Sequence, residues 1–370
     1  LVITFVAAAL LAPGVAAKGG PNICIDIKGK QQVQRGTATC LADATSRAMV
    51  KGEGSTATAR DESTVRVNGN NSSAVAYNSG TAIVSGDGST AIAGDADLPN
   101  TTGGDNNTAI VNGNGSTATA YWGDGNTAIV TGDNSVASAG DGYTNTATVM
   151  GDGSTAIAGT VGGENNVASV TGNGSKASAI DGSGMTATVT GDGSTAFAAY
   201  GGDNTATVTG DGSTASAYWG SDNTSTVTGD DSHALTTEGD DNTATVNGDN
   251  SSAIAYEGQN NTASVTGDGS DAHASYGDNN TAIVTGDNSS ATAPDGFDNT
   301  AIANGDGSDA FAGFGDDNTA TVTDDDSSAV AGSGNGNTAV VTGDGSTAEA
   351  TALQGCTVEV TGDQQAESCP

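Results

Sequence analysis

Residues 204–222 read NTATVTGDGSTASAYWGSD, and the motif restarts every 19 residues at Asn223, Asn242, Asn261, Asn280, Asn299, Asn318 and Asn337, and last at Cys356. Within one copy, small apolar and polar side chains alternate in two bursts. In Asn204-Thr205-Ala206-Thr207-Val208-Thr209 one face carries Asn, Ala and Val and the other carries three Thr; in Ser213-Thr214-Ala215-Ser216-Ala217 one face carries Ser, Ala and Ala. Period-two alternation marks a strand and not a helix. The Gly-Asp-Gly between the bursts is a tight turn built from residues that tolerate positive φ. A strand-turn-strand-turn unit cannot bury its face alone, but stacked on copies of itself it can. The prediction is an all-β fold: a parallel β-solenoid (β-roll) with 19-residue coils, two strands per coil, in two parallel sheets.

The same phase reaches back through Met185, Asn166, Asn145, Asn126 and Asn107, with two extra residues before Asn166, and looser copies begin near Gly80, Ser63 and Ser46. An insertion at Gly94–Asn106 lengthens one turn. The repeats therefore run over 46–355, and with the last start at Cys356 there are 17 copies of the first half and 16 of the second. At ~4.8 Å per rung they make a rod on the order of 80 Å long. The Ser of the second half is Ser in all 16 copies, and the Ala two residues later is Ala in all 16. With only Ala, Ser and Val facing inward the sandwich is thin. Its stability should rest on hydrogen-bonded ladders more than on apolar area. The Asn at each restart, present in 12 of 17 copies, is expected to form a stacked amide ladder at the core's edge.

Composition alone gives a different impression. The 370 residues include 57 Gly, 4% aromatic and 14% charged side chains, against about 25% charged in an average domain. Few bulky apolar residues and a net charge of −35 would suggest disorder, were the composition not periodic. The charge also disfavours nucleic acid, whose phosphates need clustered cations. Eight of the nine cations precede residue 67, with five acids in that stretch, so the rod beyond is near −38 and its opening segment +3. Residues 18–45 read as a basic N-terminal cap, suited either to an anionic surface or simply to water.

The apolar run 1–17, LVITFVAAALLAPGVAA, reads as the remnant of a secretory signal peptide ending in small residues. It is shorter than the ~20 residues of a transmembrane span, so no membrane span is expected and the chain is read as secreted or cell-surface. Four cysteines flank a body that contains none. An even number in an exported chain suggests disulfides, and local pairing closes the shortest loops, giving Cys24–Cys40 and Cys356–Cys369. Cys356 takes the Asn position of the last coil, 356–370, and Cys369 falls in phase with the last inward position of its second strand. A bridge there would close the final coil, so the solenoid is read as stapled at both ends.

Three outward columns of the first strand are the most informative feature. The first holds Thr108, Thr127, Thr146, Thr186, Thr205, Thr224, Thr243, Thr262, Thr281, Thr319 and Thr338; the middle holds Thr148, Thr188, Thr207, Thr226, Thr245 and Thr321; the third holds Thr131, Thr190, Thr209, Thr228, Thr266, Thr285, Thr323 and Thr342. The opposite sheet presents instead Lys176, His233, Asp271, Phe197, Leu235 and Glu349. Thr favours strands in general, but propensity acts on both sheets alike. The run GSTATA at Gly54–Ala59 and Gly115–Ala120 resembles the core of bacterial ice-nucleation repeats, and Thr-x-Thr rungs on a thin solenoid resemble those of antifreeze proteins. The Asn-x-Ala-x-Val pattern is similar to curlin repeats, and Ser89–Ala93 is loosely similar to trimeric-autotransporter head repeats. These resemblances imply a non-catalytic protein with a structural, adhesive or cell-surface role; the alternative they imply is ice binding through the Thr face. The partners expected are an extracellular surface, a glycan or ice.

The turn after the first strand carries Asp in 13 of 17 copies. Carboxylates stacked ~5 Å apart repel by about 1 kcal/mol per pair even in water. Calcium is the one candidate ion, against solvated turns with no cofactor at all. Aromatics gather at the other turn, among them Tyr121, Trp122, Tyr200, Tyr218, Trp219, Tyr276 and Phe314. They are read first as covering the core's open edge, and otherwise as a strip for sugar or protein contact. His233 and His273 lack any Cys, Ser or metal constellation, and no enzyme is visible.

Overall fold

The computed structural model describes residues 22–94, 104–351 and 354–369. The signal-like segment 1–17 and residues 95–103 of the insertion lie outside them. The fold is an all-β parallel solenoid of 17 coils with two sheets, and among the described residues there is no helix. First-half strands pair in parallel with their counterparts one coil away, from Arg47–Lys51 to Thr357–Val360. Second-half strands make the other ladder, from Thr39–Ala42 to Ala366–Ser368. Equivalent columns stay in register: Thr205 faces Thr186 and Thr224, and Val208 faces Val189 and Val227. A one-residue slip would turn every Ala and Val to water, which fixes that register.

The core is as thin as the sequence requires. Ala206, Val208, Ala215 and Ala217 are fully buried, as are their equivalents in nearly every coil, and Met185 in the Asn column is the largest buried side chain. The polar inward residues join coil to coil. The Ser194 hydroxyl accepts the N–H of Ser213 (3.1 Å) and donates to the carbonyl of Gly210 (2.6 Å), both in the next coil. At the opposite corner Asn204 Oδ1 accepts the N–H of Asn223 (3.0 Å) and its Nδ2 donates to the carbonyl of Gly220 (2.9 Å). The Asn ladder thus differs from a stack of amides: each Oδ1 accepts a backbone N–H of the next coil, as Asn299 does from Asn318 and Asn318 from Asn337. Glycine allows close approach of successive coils at both corners, although Asp324 stands in the column of Gly210 in one coil. A Cβ on Gly210 (φ +153°) would lie 2.0 Å from the Gly229 carbonyl oxygen, and one on Gly220 1.7 Å from that of Gly239.

The ends differ. At the N-terminal end β1 (Ile23–Ile27) lies antiparallel between β2 (Lys30–Arg35) and the first solenoid strand. This hairpin covers the edge of the first sheet and leaves β2, with Lys30 and Arg35, as the exposed edge, a composition that discourages further pairing. Cys24, buried on β1, is bonded to Cys40, with Cα atoms 5.7 Å apart. The second ladder already begins at Thr39, within the stretch read from sequence as cap. At the C-terminal end Cys356 and Cys369 are bonded across the last coil (Cα–Cα 6.5 Å).

Candidate interaction surfaces

Of the 25 threonines named above, 21 stand at outward positions of first-sheet strands, and Thr266, Thr285, Thr323 and Thr342 follow directly on the last residue of theirs. The first two columns are half-buried by their neighbours and the third is exposed. The most complete patch is a grid of nine: Thr186, Thr188 and Thr190, then Thr205, Thr207 and Thr209, then Thr224, Thr226 and Thr228, in direct register. Strand geometry sets the grid at ~4.8 Å along the rod and ~7 Å across it. Elsewhere it is interrupted by Met49, Arg66, Met150, Val167 and Glu359. The outward face of the second sheet has no such regularity. Burial there pushes the His233 imidazole below the ordinary 6.5. It does the same to His273, against the opposing charge of Asp295.

Along the turn after the first strand, the Asp column forms its own ladder. The N–H of Asp211 donates to Asp230 Oδ1 (2.8 Å), that of Asp230 to Asp249 (2.8 Å), and that of Asp249 to Asp268 (2.8 Å). One oxygen of each carboxylate is thereby occupied by backbone. Among the described residues no group of three or more His, Cys, Asp or Glu side chains is placed to hold a metal ion.

The turn after the second strand is chemically different. In twelve successive coils the same position of this turn is left-handed: Trp122, Asp141, Val161, Asp181, Tyr200, Trp219, Glu238, Glu257, Tyr276, Asp295, Phe314 and Ser333, with φ between 42° and 60°. Asn, Asp and Gly are the residues this backbone favours; bulky or β-branched ones are outliers. Yet Trp122, Tyr200, Trp219, Tyr276 and Phe314 stand here, between 44% and 58% exposed. Near the middle of the rod Phe197, Tyr200, Tyr218 and Trp219 form a run of ring contacts with centroids 5.3–6.5 Å apart. The rings divide between the two expected roles: Tyr121, Tyr218 and Tyr256 are half-buried against the turn, whereas Trp122, Tyr200, Trp219, Tyr276 and Phe314 leave about half of their surface to solvent. Sequence reasoning named the aromatics but missed the column they share with the acids, which the 19-residue phase could have revealed.

Basic side chains Lys28, Lys30, Arg35, Arg47, Lys51, Arg60 and Arg66 are all exposed at the N-terminal end. Surface depressions lie along the turns, one lined by Lys51, Glu53, Asn68 and Asp87 and another by Val161, Asp181 and Ser183; neither joins a nucleophile to a base. No helix of the described residues is long and apolar enough to cross a membrane. Compared with protein-family models and with curated proteins, the chain matches none.

Proposed function

We propose that the protein is a secreted, non-catalytic rod that binds extracellular surfaces through its aromatic turn edge. The observation that carries this reading is the exposure of five large rings at backbone positions that disfavour them. Residues that neither fill the core nor suit the local backbone are costly for folding, and such strain gathers where a chain binds. Inside, Asn, Ser, Ala and Val are spent on the ladders and the core, so only the outside is left to act. Wild type and the Trp219→Asn, Tyr276→Asn variant, compared for adhesion to cell surfaces and immobilised glycans, test it. Binding should be lost in the variant, whose Asn side chains suit the turn. Equal binding would refute the reading.

A second reading, ice binding, is favoured by the nine-threonine grid. Hydroxyls and methyls at fixed spacing on a flat, uncharged patch suit a lattice of ordered water. Thermal hysteresis or recrystallisation inhibition by the purified chain, abolished in the Thr207→Tyr, Thr226→Tyr variant, would support it; inactivity of the wild type at micromolar concentration would end it.

A further inference from the structure

The surface-interaction reading leaves the partner's chemistry open, and the turn edge narrows it. Half of its twelve left-handed positions hold a ring or Val161, and five of the others hold an acid. In the middle, Trp219, Glu238, Glu257 and Tyr276 follow one another in consecutive coils. They are held in line by backbone bonds from Gly239 N–H to the Trp219 carbonyl (3.0 Å), Gly258 to Glu238 (3.0 Å) and Gly277 to Glu257 (3.1 Å). Two carboxylates one rung apart are thus bracketed by two exposed rings. A hydrogen bond to Glu257, burial and the charges of Glu257 and Glu238 push the neighbouring Tyr256 phenol up to about 12, as expected where negative charge accumulates.

We infer that this edge binds an extended, arginine-rich segment of a partner protein, the guanidinium groups stacking on the rings and pairing with the carboxylates between them. The inference rests on the surface-interaction reading and gives it a ligand class. Charge complementarity selects a cation: the rod beyond residue 66 carries 39 acids and only Lys176, and Trp is the strongest partner of a cation over its face. Arginine is preferred to lysine because its planar group both stacks and grips a carboxylate with two parallel hydrogen bonds. A neutral sugar would use the rings and leave the paired Glu238 and Glu257 with no counter-charge. From Trp122 to Ser333 the edge runs about 50 Å, which an extended segment of roughly 15 residues spans.

Both tryptophans of the chain lie on this edge, so intrinsic fluorescence reports its occupancy. The probe is an alternating arginine-glycine peptide of about 15 residues, titrated at near-physiological ionic strength. Matched lysine and glutamate peptides and chitohexaose serve as controls. The arginine peptide should bind saturably and more tightly than the lysine one. Trp219→Asn with Tyr276→Asn, which keeps the net charge, should weaken it about tenfold, one factor of ten being worth ~1.4 kcal/mol. Glu238→Gln with Glu257→Gln should weaken it similarly, while Thr207→Tyr with Thr226→Tyr should not. Circular dichroism confirms that each variant is folded. Undiminished affinity in the ring variant would reduce the effect to bulk polyanion attraction and overturn the inference, as would no binding by wild type. Chitohexaose bound in place of the peptide would overturn it while sparing the surface-interaction reading. Adhesion independent of the rings, with the peptide still bound, would do the reverse.

Discussion

Ser225 and Thr236 stand where nearly every other coil has Ala, fully buried on facing sheets, and their hydroxyls are 2.9 Å apart. Ser225 also donates to the Ser216 carbonyl (2.6 Å), so Ser225→Ala leaves Thr236 Oγ1 without its partner. That variant should lose about 1–3 kcal/mol, and adding Thr236→Ala should restore most of it by returning both sites to the common pair. Chemical unfolding of the three variants measures the coupling; a double variant no better than Ser225→Ala would contradict the assignment. The histidines give a pH dependence. Their folded values lie below 6.5, so the unfolded chain takes up protons first as pH falls. Stability should be full above about pH 6.5 and decline below it. His233→Thr with His273→Thr, the residues of Thr214 and Thr292 in the same columns, should flatten the melting temperature between pH 6.5 and the carboxylate range. At this scale the inward Ser and Ala columns were legible because one residue type recurs in strict phase. The Ser225–Thr236 pair was not, since a substitution in one strand gives no sign of which residue faces it.

At the scale of the strand, the repeats were readable because a coil's partner is its own sequence one period later. The first strand of the second sheet, Thr39–Ala42, was missed because Ala38 stands where later coils have Ser, so the identifying column is absent. The antiparallel return of β1 was missed for a different reason: its pairing is set by tertiary contact and not by any repeat. That return has a testable consequence. Deleting residues 22–35, with Cys40→Ala so that no thiol is freed, uncovers the edge of the first ladder and should shift the chain to larger soluble oligomers or fibrils, seen by size-exclusion chromatography. The Cys24→Ala, Cys40→Ala variant keeps the hairpin. It should elute as the parent chain does and lose about 3 kcal/mol, the loop-closure value for a bridge of this span. A deletion variant that elutes in proportion to its size, as the parent chain does, would show that the hairpin does not guard the edge.

Across the whole molecule, the glycines are corners, the alanines a thin core and the acids largely turn residues, so a composition resembling disorder describes a rod. Its net charge of −35 sets up self-repulsion that any salt screens. The Asp230 and Asp249 carboxylates each accept a backbone N–H through one oxygen, which offsets part of the repulsion along the column. The melting temperature should rise with sodium chloride, and calcium at equal ionic strength should add nothing. A larger, chelator-reversible rise would establish specific sites. The central claim, that the rod acts through its aromatic turn edge, is tested most directly by hydroxyl-radical footprinting of the chain free and incubated with the cell surfaces and immobilised glycans of the adhesion test. The account predicts that Trp122, Tyr200, Trp219, Tyr276 and Phe314 become protected from oxidation while the exposed Met150 on the Thr face stays reactive. Rings as reactive in the bound state as in the free, or protection confined to Met150, would contradict it.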